Sequence, residues 1–110
     1  MTAATDRELL ELAAKAAGYQ IDPHTNGKVL RGLYFIRRGQ NWQPLERNDD
    51  AFCLGVDLRI SLEMAPEHVY AVHTDTSATQ YRDTGSGKPM DQVVREAIVA
   101  CAAEVGRSMP

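Results

Sequence analysis

Two short stretches, "LYFI" at residues 33–36 and "VYAV" at residues 69–72, constrain the fold of this chain more than any other feature. In each, apolar residues fill four successive positions. Side chains alternate across a β-strand, so a strand that is apolar at every position belongs in a sheet covered on both sides. "VLRGLYFIRR" and "HVYAVHTD" are therefore read as strands, and the cover has to come from helices.

Three segments have helical periodicity. "TDRELLELAAKAAG" opens with Thr5 and Glu8 at capping-box spacing, where each can satisfy a free amide of the first turn. Leu9, Leu12, Ala13 and Ala16 form its stripe, and Gly18 suits the left-handed residue that closes a helix. "NDDAFCLGVDLRI" has Asn48 placed to cap and Asp49 and Asp50 in the first turn, where the helix dipole favours negative charge. Ala51, Leu54, Gly55 and Leu58 make its stripe, widened by Phe52 and Val56. "MDQVVREAIVACAAEVGRSM" is the longest, with Pro89 at its first position and Met90, Val94, Ala97, Ile98, Cys101 and Val105 along one face. Asp91 and Arg95 are spaced to pair one turn apart.

Between the helices lie a possible short strand "YQI", a turn-rich "DPHTNG" with the hairpin signal Asn26-Gly27, and a tight connection "RRGQNW". Later come "ISLEM" and "ATQYRD", two further strand candidates at short spacing. The order is helix, two strands, helix, two or three strands, helix. It predicts one α+β domain over residues 1–110, with a small antiparallel sheet sandwiched by helices. Leu33, Phe35, Leu54, Val69, Ala71, Ile98 and Cys101 are its expected core, with Trp42 buried against the second helix.

Composition bounds the function. At 110 residues, 44% hydrophobic and 25% charged, the chain suits one globular domain whose core stands without metal or disulfide. A net charge of -3 argues against a nucleic-acid module, since phosphate binding draws on Lys and Arg. Cys53 and Cys101 are far apart in unrelated surroundings, which makes neither a disulfide framework nor a metal knuckle. No apolar run approaches the roughly 20 residues of a membrane span, and "MTAATDRELLEL" lacks the features of a signal peptide. A soluble protein of a bacterial cytoplasm, with no cofactor, is the expectation.

Each candidate site has a plain structural competitor. "NWQPLERNDDAF" places the lone tryptophan beside paired acids, but acids at a helix start with an apolar residue seating the approach explain it. "DTGSG" at residues 83–87 resembles the aspartic-protease loop, in which two such aspartates share a proton. Its lead-in "TQYR" is polar and a helix follows at once, so hydrolysis through Asp83 is a remote alternative. "GSGK" is no phosphate loop, since Arg82 and Pro89 stand where a glycine and a hydroxyl residue are required. His68 and His73 point to opposite faces of a strand and His24 lies in a turn, so no three ligands converge on a metal. Cys53 sits between Asp50 and Asp57, which disfavours a thiolate, and Cys101 belongs to an apolar stripe. Lys28, Arg31, Arg37 and Arg38 form the notable cationic concentration, able to bind an anionic ligand, nucleic acid or an acidic protein, or simply to guard a sheet edge.

"TDRELLELAAKAAG", "NWQPLERNDDAFCLGVDLRI" and "VVREAIVACAAEVGRSMP" together resemble the phage ABA sandwich domain family, small phage and prophage proteins, in the order of the three blocks. Trp42, Pro44, Leu45, Asp50, Ala51, Leu54, Val56 and Leu58 keep the family's middle motif, while Gln43 replaces its usual Asn and Phe52 its usual Leu. Lys88 stands before Pro89 where the family has Asp. The resemblance implies helices sandwiching a small antiparallel sheet and a phage origin. It implies no activity and carries over no catalytic or ligand-binding residue.

These observations favour a non-enzymatic binding or interaction protein acting on a host or phage macromolecule. A module binding a small anionic ligand or nucleic acid through Lys28, Arg31, Arg37 and Arg38 is the alternative. A homodimer through the C-terminal helix is also expected, in preference to one through the outer strand of the sheet that the basic residues flanking "LYFI" would protect, because Val93, Val99 and Ala103 lie outside its main stripe and look like surplus apolar surface.

Overall fold

The structure, a computed structural model, describes residues 5–21, 33–35, 40–83, 85 and 87–109. In chain order the elements are α1 (Asp6–Ala17), β1 (Leu33–Phe35), β2 (Gln40–Trp42), α2 (Asn48–Leu58), β3 (Ile60–Met64), β4 (His68–His73), β5 (Thr79–Asp83) and α3 (Met90–Arg107). This is an α+β fold built from helices and antiparallel strands. β1 and β2 form a two-stranded sheet, with Leu33 opposite Trp42. β3, β4 and β5 form a three-stranded sheet in that order, with Leu62 opposite Ala71 and Tyr70 opposite Tyr81.

Local chemistry sets the helix ends. The Thr5 hydroxyl accepts the Glu8 amide at 3.2 Å, and Gly18 closes α1 at φ 74°. The start of α2 differs from expectation. Arg47 is its N-cap and Asn48 its first residue, so the Asn48 side chain is free to turn towards α3, where its amide donates to Asp91 at 3.4 Å. Pro89 likewise precedes α3 instead of starting it, with Met90 the first helical residue. The "QNW" stretch, expected to be part of a connection, is strand β2. Only Trp42 among its residues has marked strand preference, and pairing with β1 decides its conformation.

α3 is the centre of the molecule. On one side Val93, Ala97 and Cys101 pack against Val69 and Ala71 of β4. On another, Ile98, Val99 and Ala102 meet Leu10, Ala13 and Ala14 of α1 and Leu54 of α2, with Trp42 and Leu45 completing that cluster. Val93, Val99 and Ala103 are therefore core residues, which corrects the expected homodimer surface on this helix. Packed by a sheet and two helices, α3 keeps exposed apolar surface chiefly at Met90, at its start. Val69, Ala71, Leu54, Ile98 and Cys101 are buried as expected, whereas the side chains of Leu33 and Phe35 lie outside what is described.

The face of β4 that carries Val69, Ala71 and His73 is the one α3 covers. On its other face Tyr70 and Val72 are half-buried among sheet neighbours, not sealed in a core. Tyr70 packs against His68 at 4.9 Å and Tyr81 at 5.1 Å between ring centroids.

Candidate functional site

The acid pair that flanks Trp42 serves the fold. Asp50 accepts the Gln43 amide at 2.9 Å, which ties the turn after Trp42 to the first turn of α2. Asp49 accepts from Arg47 at 3.0 Å, and that hydrogen bond holds its carboxyl below the usual carboxylate range. Trp42 itself is 2% exposed and meets Tyr19 edge-on at 5.5 Å.

The other sequence candidates stay apart. Asp83 ends β5 on the surface, its carboxylate accepting the Gly85 amide at 2.7 Å to close a turn. Lys88 is paired with Glu96 at 3.0 Å. His73 is buried with Nδ1 2.8 Å from the Thr76 hydroxyl, and His68 lies on the opposite face, 3.7 Å from Glu63. Among the described residues, no three His, Cys, Asp or Glu side chains gather to hold a metal. Cys53 is exposed, while Cys101 is buried with its thiol 3.4 Å from the Ala78 carbonyl, and burial raises its pKa. Lys28, Arg31, Arg37 and Arg38 lie outside the described residues.

What the fold does assemble is an apolar cleft between α2, β3 and the first half of α3. Its volume is about 390 Å³, and Ala51, Phe52, Leu62, Met64, Met90, Val94 and Ile98 line it. A second hollow of about 200 Å³ continues it along Phe52, Val56, Ile60 and Leu62. The lining is open to solvent: Phe52 is 68% exposed, Met64 60%, Val56 57%, Met90 40% and Leu62 37%. Phe52 and Val56, expected to widen the buried stripe of α2, thus face outward. The reason is geometric, since α2 spends Ala51 and Leu54 on α3 and its next face looks over the edge of the sheet.

The polar rim of this cleft is already engaged within the chain. Arg95 donates to the Leu45 carbonyl at 3.0 Å and to Asp91 at 3.1 Å, and it also reaches Asn48. The hydrogen bonds that Asp91 accepts, from Arg95 first and then from Asn48, hold its carboxyl below the ordinary range. A cleft with an apolar floor and self-satisfied polar groups suits side chains of a polypeptide better than a polar small molecule.

The edge beside it completes the site. Among the described strands β3 is an outer one, and its inner-face residues Ile60, Leu62 and Met64 stand next to the cleft. Sequence reading found the strand and the helix separately. It missed the site because membership of an edge strand depends on sheet order, which no local pattern encodes.

No family model matches the chain, and no curated protein and no solved structure is found to be similar to it. No helix of the described residues is long and apolar enough to cross a membrane.

Proposed function

We propose that this chain is a non-enzymatic interaction protein that receives an extended polypeptide segment along the edge of β3 that no other described strand pairs. The segment's side chains would enter the cleft beside Phe52 and Met64, and its backbone would add a strand to the sheet, as in other cases of strand addition.

The observation that carries this reading is the contrast between the two sheet edges. On β5, the face turned towards α3 bears Gln80 and Arg82, which lie opposite Ala71 and Val69. An inward-facing charge on an outer strand discourages further pairing. On β3 the same face bears Ile60, Leu62 and Met64, with one charged residue, Glu63, on the other face. One edge is guarded and the other is left receptive. The phage origin implied by the resemblance extends the proposal, making the partner a host or phage protein.

Amide-resolved NMR with a synthetic peptide alternating valine and threonine tests it. Shifts should concentrate at Ile60, Leu62 and Met64 and along the exposed face of α2. Leu62→Pro should abolish them. Absence of shifts at millimolar peptide, or shifts unchanged by Leu62→Pro, would reject the β3 site. A rise in melting temperature with nucleotides or RNA would instead favour the anion-binding alternative.

A further inference from the structure

We propose that the segment received by β3 is β3 of a second copy, joined across a two-fold axis at Leu62 to make one continuous six-stranded antiparallel sheet. This rests on the reading of β3 as the interaction edge and names its occupant.

The backbone phase fits such pairing. The Ala65 amide donates to the His68 carbonyl at 2.9 Å. In an antiparallel ladder the residues that exchange such bonds alternate along each strand. Glu63 and Ser61 therefore direct their backbone groups to Tyr70 and Val72, their partners on β4. Ile60, Leu62 and Met64 direct theirs to the open edge. A two-fold axis at Leu62 sets Leu62 against Leu62 and Ile60 against Met64 of the other copy. Every one of these pairs joins two outward-directed residues, so donors meet acceptors along all of β3 with no change of register.

The side chains agree with the backbone. On the inner face the pairing brings together Ile60, Leu62 and Met64 of both copies, which extends the two apolar clefts into one covered layer. Solvent-exposed Leu62 and Met64 become cross-strand neighbours, and Phe52 gains apolar company at the seam. On the outer face Ser61 falls opposite Glu63.

Charge selects the direction. Arg59 immediately precedes β3, whereas Glu63 and Glu67 lie towards and beyond its other end. Antiparallel pairing about Leu62 places the basic end of each strand beside the acidic end of the other, twice by symmetry. A parallel arrangement would place acid beside acid. An unrelated strand would have to reproduce both the apolar phase and this polarity, which a second copy supplies automatically.

Sedimentation equilibrium of the full chain, from micromolar to submillimolar concentration, should show the mass rising from 12.1 kDa towards twice that value. Hydrogen exchange at the Leu62 and Met64 amides should slow as concentration rises, while the β4 amides remain unaffected. Leu62→Pro deletes an edge-directed amide that no described residue uses, and proline is tolerated at such positions. It and Leu62→Lys should both be monomeric with native circular dichroism. Arg59→Glu should raise the dissociation constant roughly tenfold through two symmetric charge pairs.

A constant 12.1 kDa mass with concentration-independent exchange overturns the proposal, whether or not the Leu62 variants fold. A monomer that still binds the valine–threonine peptide at β3 keeps the edge as an interaction site and rejects self-pairing alone. A monomer that binds neither rejects both readings. A dimer unchanged by either Leu62 variant and by Arg59→Glu places the interface elsewhere and rejects the two-fold axis at Leu62.

Discussion

Trp42 and the two cysteines show how one residue's environment sets its chemistry. Trp42 is enclosed by Tyr19 and by the Leu45 and Leu54 cluster, so its indole fills space and offers no surface to a ligand. Trp42→Ala should cost about 3 kcal/mol, the order found when a large buried side chain leaves a cavity. Urea unfolding followed by circular dichroism measures it; an unchanged midpoint would show that the ring is not part of the core. Cys53 and Cys101 are the same chemical group in opposite settings. Cys53 is exposed at α2, while burial pushes the Cys101 thiol above its ordinary pKa. A thiol reagent should modify Cys53 alone in the native protein and both cysteines in denaturant. The raised pKa also has a sign. Below the thiol range of the unfolded chain both states hold the proton and stability is unaffected. As pH rises from that value towards the folded one, only the unfolded chain loses it, so stability falls. Cys101→Ala should flatten that alkaline decline even though it lowers stability overall, and an identical slope would refute the assignment.

Among the elements, the contact between α1 and α3 has the least tolerance. A Cβ built on Gly106 would lie 2.0 Å from the Leu12 carbonyl oxygen, closer than any real contact. Gly106→Ala should therefore force the two helices apart and lower stability by at least about 1–3 kcal/mol, the usual cost of overpacking, although alanine is the better helix former. Thermal denaturation of the variant checks this, and a gain in melting temperature would mean that the helices pack more loosely than described. Nothing in "AEVGRS" announces such a contact, because a helical glycine reads locally as a weak point and not as a place of approach. The elements themselves were legible in the sequence for a physical reason. Amphipathic periods, the Thr5 cap, Gly18 and the Pro89 boundary are local signals, and they place α1, α2, α3, β3, β4 and β5. What is not local was read less well. β2 owes its strand to β1, and the outward turn of Phe52 and Val56 follows from α2 lying at the rim of the sheet. The same non-local facts make the candidate site, since "ISLEM" and "AFCLGV" become a cleft beside an open edge only once sheet order is fixed.

At the scale of the whole molecule, α3 joins two clusters that share few other residues. One holds Trp42, Leu45, α1 and α2; the other holds β4 with the opposite face of α3, and Ile60 and Val94 touch both. Neither cluster keeps its shape without α3, since each contributes only part of the surface that the other elements need to bury. The two halves should therefore unfold as one. Trp42 fluorescence reports on the first cluster, and the near-ultraviolet signal of Tyr70 and Tyr81, read in a Tyr19→Phe, Tyr34→Phe background, reports on the sheet. Their urea transitions should coincide within error and match that of the helical signal, which is the signature of two-state behaviour. The sharpest form of the prediction uses Val99, which is fully buried on the side of α3 that faces α1. Val99→Asp places an unpaired carboxylate in that cluster and not in the one that holds β4. If α3 couples the clusters, the tyrosine signal of the distant sheet should be lost together with the tryptophan signal, because burying an unpaired charge is enough to unfold a marginally stable domain. A variant that lost the native tryptophan environment while its tyrosines kept a folded spectrum would show instead that the sheet and the face of α3 behind it stand as an independent unit.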